Sequence, residues 1–203
     1  MASKSRMRSC IMETSYSMSY QEVSPKMKKG PGKPLTGAIA EAWKKVLLNE
    51  VEGREFYRMA AANARLDGVR QMFTFLMAEE ERHHEAILEQ IARMAEGKAP
   101  RLARKAAEKR AIRKFESPLF SPDFLARGKK AEGEAAALSI GMTLEKRAIE
   151  QFTALRKKVT GDAAAEKVVD DLIAWERDHL KILTRQYEQF REMYWEETRF
   201  WPF

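Results

Sequence analysis

The sequence predicts an all-α fold, a four-helix bundle made of two helical hairpins joined by a long crossover, and three observations carry that expectation. Apolar residues recur every three or four positions through four stretches of roughly 30 residues, and no segment alternates as a strand would. The first two stretches are separated by a very short turn, as are the last two, so each pair must run antiparallel. Between the pairs lies a basic connector that SPLFSP (117–122) interrupts twice with proline. Helices of that length would each span about 45 Å.

Taken in order, residues 1–34 are rich in Ser, Lys, Gly and Pro, lack a period and read as a disordered basic tail. The first helix begins near Thr36, carries Trp43, Val46, Leu47, Glu50, Phe56, Tyr57 and Ala60-Ala61 at helical spacing, and stops near Arg65-Leu66-Asp67-Gly68. Asp67 is expected to N-cap the second helix. That helix carries Val69, Met72, Phe73, Leu76, Met77, Ile87, Leu88 and Ile91, and ends at Gly97 with Pro100 just beyond. The crossover, 97–130, opens with a candidate basic helix from Arg101 to Phe115. A third helix runs from about Ala131 to Val159, Thr160-Gly161-Asp162 stops it and starts the next, and the fourth runs from about Ala163 into Tyr194. The domain organisation is therefore a tail (1–34), a bundle (35–196) and an aromatic C-terminal tail (197–203) that would pack over a bundle end or into a dimer contact.

Composition narrows the function classes. The chain has 203 residues and a net charge of +7, and hydrophobic and charged residues make up 44% and 33% of it, as in a globular protein. The positive charge is concentrated: residues 1–34 carry +5 and 97–130 carry +8, whereas 35–96 and 131–203 carry −3 each. Both basic segments read as solvated, and nucleic acid is not expected as a partner. No apolar run is long enough for a transmembrane helix, and the N-terminus lacks the apolar core of a secretory signal. Cys10 is the only cysteine, which excludes an intramolecular disulfide and fits a cytoplasmic location. No phosphate-binding loop, Ser/His/Asp set or nucleotide fingerprint appears, and Ser139-Ile140-Gly141 receives no role.

The two hairpins resemble each other at an offset of 95 residues: NEVEGREFY (49–57) lies over LEKRAIEQF (144–152), and MAEEERHHEAIL (77–88) over LIAWERDHLKIL (172–183). In this register Glu50 pairs with Glu145, Glu81 with Glu176 and His84 with His179. The duplicated element is thus Glu81-x-x-His84 and Glu176-x-x-His179. Glu80-x-x-His83 has no second copy in this register and reads as a pair on the helix surface or beside the site. Positions i and i+3 of a helix share a side, so each Glu-x-x-His can bind one ion with both groups. The neighbours on that side are apolar: Met77, Leu88 and Ile91 in one helix, Leu172, Leu183 and Phe190 in the other. Four carboxylates and two imidazoles in such an interior cost several kcal/mol per unpaired ion. Two divalent cations balance four carboxylates, and one Glu from each of two helices plus a Glu-x-x-His from each of the other two is the donor set of di-iron and di-manganese bundles. Oxygen and imidazole donors without thiolate favour two Fe ions, with Mn possible and Zn possible in vitro but redox-silent. A metal-free core with satisfied polar groups fits an isolated histidine better than six matched positions.

At these residues the chain resembles the rubrerythrin-like branch of the ferritin-like superfamily, over about 35–195. The carriers are Glu50 with Phe56-Tyr57, Glu81-x-x-His84, Glu145 and Glu176-x-x-His179. The resemblance implies that Glu81 and Glu176 bridge two irons, that Glu50 and Glu145 are terminal ligands and that His84 and His179 cap one metal each. Tyr57 stands where the family often has a tyrosine bonded to a ligand carboxylate; it reads equally as a core aromatic like Phe152. Two departures stand out: the chain lacks the four cysteines of a rubredoxin-like centre, and Met142 and Ala148 occupy the places one turn from Glu145 where the family has an extra glutamate. The implied activity is an oxidoreductase that reduces hydrogen peroxide or dioxygen with electrons from a separate donor protein, in oxidative-stress defence. A ferroxidase taking Fe(II) as substrate, or a metal-stabilised binding protein, are the alternatives, and a homodimer is the expected assembly.

Overall fold

The computed structural model describes residues 37–102 and 132–198. They form four long helices, α1 (Gly37–Asn63), α2 (Asp67–Ala95), α3 (Glu132–Lys158) and α4 (Ala163–Thr198), and no strand occurs among the described residues. The bundle has the expected ferritin-like arrangement: α1 packs on α2, α3 on α4, and α1 also lies against α3. Three of the four helices fall within a few residues of their sequence-read bounds; α4 continues past Tyr194 to Thr198. The basic tail, the crossover from 103 to 131 with most of its candidate helix, and the last five residues of the aromatic tail lie outside the described residues.

The two hairpin turns differ by one residue. Asn63 and Asp67 leave three residues between α1 and α2, whereas Lys158 and Ala163 leave four between α3 and α4. In the longer turn Gly161 takes a positive φ of 89°, and Asp162 accepts hydrogen bonds from the Ala164 and Ala165 amides at 3.1 Å each, a side-chain N-cap. The shorter turn has no such cap. Leu66, not Asp67, occupies the N-cap position, and Asp67 lies in the first helical turn, paired with Arg70 at 2.7 Å. Losing one residue from the turn pulls Asp67 into the helix. The other hairpin compensates: the buried Glu134 of α3 accepts the Arg65 amide at 2.9 Å.

The apolar core divides into two clusters. One gathers Trp43, Val46, Ile87, Phe152, Leu155, Leu172 and Trp175; the other gathers Tyr57, Met72, Phe73, Leu76, Leu138, Leu183 and Phe190. Along every helix a buried glutamate stands at the boundary between them: Glu50 between Val46 and Tyr57, Glu80 between Leu76 and Ile87, Glu145 between Leu138 and Phe152, and Glu176 between Leu172 and Leu183. The core thus encloses a polar layer at mid-height, sealed at both ends.

Gly141 acquires the role that the sequence did not reveal. A Cβ there would stand 3.3 Å from both Leu183 methyls and from Tyr57 Cε1, so its hydrogen lets α3 approach α4 and the Tyr57 ring closely. Gly141→Leu is expected to destabilise the protein by about 1–3 kcal/mol through overpacking, whereas Ser139→Ala on the exposed side of the same turn should stay within about 0.5 kcal/mol. Denaturant unfolding of both variants checks this.

Candidate metal centre

Each helix contributes one buried glutamate to the polar layer, and α2 and α4 add one buried histidine each: Glu50, Glu80, His83, Glu145, Glu176 and His179. Donor atoms of Glu80, His83, Glu176 and His179 all lie within 4.8 Å of one another. His83 Nδ1 is 2.8 Å from Glu176, 3.3 Å from Glu50 and 3.8 Å from Glu80. His179 Nδ1 is 3.1 Å from Glu80, 3.7 Å from Glu145 and 4.0 Å from Glu176. The two imidazoles stack at 4.9 Å with planes 7° apart, and Trp175 covers the His83 ring at 4.8 Å. The arrangement is an approximate two-fold. Glu50 with His83 makes one half, Glu145 with His179 the other, and Glu80 and Glu176 face both.

Four of the six sequence-predicted donors, Glu50, Glu145, Glu176 and His179, come together here. Glu81 and His84 do not. Glu81 is 45% exposed and forms an ion pair with Arg54 of α1, and His84 is half-buried outside the cluster. Glu80 and His83 hold the places assigned to them. The cause is the short first turn: Glu50 and Glu145 are 95 residues apart, but past the turn the equivalence is 96, from Glu80 to Glu176 and from His83 to His179. One residue in a helix is a rotation of about 100°, enough to exchange the buried face for the neighbouring one. Leu88, expected to flank the site, is accordingly exposed. The signal that could have found the shift is a second polar pair: Gln90 and Gln186, both buried, match only at 96.

Tyr57 bonds a buried carboxylate and packs in the core at once. Its hydroxyl donates a hydrogen bond to Glu145 Oε1 while its ring stacks on Phe73 at 6.0 Å within the core. Burial and the neighbouring Glu145 push its pKa well up, so the phenol remains a donor.

The electrostatics are those of a site short of positive charge. Burial, then the neighbouring carboxylates, hold Glu50 and Glu176 well above the usual carboxylate range. Burial and Glu145 raise Glu80 as well, although contact with His179 opposes the shift. Burial also acts on Glu145, but hydrogen bonding from His179 and Tyr57 outweighs it and holds its pKa down. Burial would lower His179, yet Glu145 and Glu80 overcome this and push it up to about 10. Both Glu50 oxygens and His179 Nε2 are buried without a hydrogen-bond partner among the described residues. Uncompensated oxygen and imidazole donors facing one another in a dry interior are a fit for divalent cations of the iron or manganese kind.

The model of the rubrerythrin family matches residues 41–187, a stretch that reaches into all four helices and includes every residue of the cluster. The chain belongs to the rubrerythrin family. No curated protein and no solved structure gives a match of its own. Within the matched stretch, Glu80-x-x-His83 on α2 and Glu176-x-x-His179 on α4 form a buried group that could hold a metal ion.

The metal-free rubrerythrin-family bundle is expected to lose stability as pH rises. Glu50, Glu176 and His179 all bind protons more tightly folded than unfolded, so their contribution is full at low pH. The carboxyl contribution declines above the ordinary value of 4.5, and that of His179 declines between 6.5 and about 10. Glu145, held down, acts only below 4.5 and leaves this range untouched. Thermal unfolding of chelator-treated protein should therefore show a lower Tm at pH 9 than at pH 6, and saturating Mn(II) should flatten the slope. A Tm that rises over this interval contradicts the assigned electrostatics.

Proposed function

We propose that this chain binds two iron ions among Glu50, Glu80, His83, Glu145, Glu176 and His179 and uses them to reduce hydrogen peroxide or dioxygen, drawing electrons from a separate donor protein. The observation that supports this best is the convergence of four carboxylates and two imidazoles in a layer closed above and below by apolar clusters. Four carboxylates carry the charge that two divalent cations neutralise. In the proposed arrangement Glu80 and Glu176, which face both histidines, are the shared ligands, Glu50 and Glu145 the terminal ones, and His83 and His179 serve one metal each.

Bound iron supplies the two electrons that turn one hydrogen peroxide, with two protons, into two waters. The side chains set the conditions for that chemistry. The apolar clusters exclude bulk water, which strengthens every charge interaction in the layer. Tyr57 orients Glu145 and keeps a phenolic proton beside it. Trp175 backs the His83 ring and fixes its plane. A single cysteine cannot hold a four-cysteine iron centre, so the reducing electrons are assigned to a partner. Met142, bonded by the Thr184 hydroxyl through sulfur at 3.5 Å, and the buried Ala148 leave no extra carboxylate one turn from Glu145. That absence favours a second reading, a ferroxidase in which Fe(II) is substrate and leaves oxidised.

Anaerobic loading followed by desalting and metal analysis should give two Fe per chain. The Glu80→Ala, Glu176→Ala double variant should retain little iron, whereas Glu81→Ala, His84→Ala should keep both; the reverse order would return the site to the outer pair. Rapid mixing separates the activities. The reduced protein is expected to be oxidised by peroxide faster than by air and to turn over with an added reductant without releasing iron. Oxygen-driven turnover of excess Fe(II) would instead establish the ferroxidase.

A further inference from the structure

The two halves of the cluster are matched in their donors but not in what surrounds them. Tyr57 and Phe152 occupy equivalent places in α1 and α3, 95 residues apart, and both are fully buried. Tyr57 has a hydroxyl and gives it to Glu145; Phe152 has none, and neither oxygen of Glu50 accepts a hydrogen bond among the described residues. Past the turn the asymmetry repeats: Trp175 stacks on His83, while its equivalent in α2 is Glu79, a buried carboxylate paired with Arg82.

We infer that the two metal positions are unequal, and that Tyr57 is the positioning residue that makes the Glu145/His179 position the tighter one. The physical reason is preorganisation. A ligand carboxylate already held by a neighbour through one oxygen presents the other in a fixed direction and loses little rotamer freedom when an ion arrives. Glu145 is such a ligand, with Tyr57 on Oε1. Glu50 has no such hydroxyl beside it; its neighbour His83, with Nδ1 3.3 Å from Oε2, is itself a ligand that the ion has to order. The Tyr57 ring cannot easily move away, because Phe73 stacks on it and Phe56 meets it edge-on at 5.4 Å. Gly141, against the same ring, removes the side chain that would otherwise displace it. Partners that hold a metal ligand are worth roughly 10–100-fold in affinity, and that factor is the expected separation between the two positions.

The inference rests on the two-metal reading above, and one titration distinguishes their failures. Co(II) is added to metal-free full-length protein and followed by calorimetry and by its visible absorption. Wild type should take up two Co(II) in two steps separated by about 10–100-fold. Tyr57→Phe keeps the ring and removes only the hydroxyl; it should still bind two ions, with the first step weakened towards the second and the second unchanged. Glu145→Gln should abolish the tight step and Glu50→Gln the weak one. Uptake of fewer than two ions by wild type overturns both readings. Two ions of equal affinity, both steps shifting together in Tyr57→Phe, or loss of the tight step in Glu50→Gln overturns the inequality alone.

Discussion

Everything in this bundle is arranged around one constraint: four glutamates and two imidazoles face one another at mid-height, buried between two apolar clusters. Isolated, each buried ion costs several kcal/mol, and carboxylates this close add mutual repulsion. The protein does not disperse these groups. It brings one glutamate from every helix to a single level and places apolar clusters above and below it. Without ions the layer can persist by holding protons, which is why Glu50 and Glu176 are held high and His179 is pushed up to about 10. Protons already meet part of a shortage of positive charge that bound metal ions would meet in full.

Much of this was legible in the residues. The apolar period gave four helices, and the short turns gave antiparallel pairing. The duplicated Glu-x-x-His, with a glutamate ahead of each copy, pointed to a buried group that could hold metal and to four of the six clustered side chains. What failed was the register of α2. The sequence offers Glu80-x-x-His83 and Glu81-x-x-His84 side by side, with identical spacing. Choosing between them required the length of a turn three residues long, and a turn can lose a residue without leaving a trace in the apolar pattern of the helices beside it. Periodicity alone tolerated the wrong choice because Leu88 is as apolar as Ile87, and only burial separates them. The buried glutamines, Gln90 and Gln186, mark the true equivalence, but a glutamine is normally read as a surface residue.

Gly141 escaped the sequence, and Tyr57 was legible there only as a choice between two roles, for a related reason. Their importance lies in contacts between different helices, and no spacing within one helix reports that. Gly141 matters because Leu183 and Tyr57 come within van der Waals reach of the place a side chain would occupy. Tyr57 has two roles at once, a packed ring and a bonded hydroxyl, and the sequence could offer these only as alternatives.

The contact between Glu134 and the Arg65 amide bears on how the two hairpins have diverged. The second hairpin finishes its own turn with Asp162 and Glu166, whose carboxylate receives the Gly161 amide at 2.7 Å. The first hairpin borrows that service from α3. Two copies of the first hairpin could not reproduce this bundle, since neither would bring the residue that closes the other's loop. What reads as a duplication is thus also a division of labour, in which the two halves are not interchangeable although their matched side chains meet in the middle.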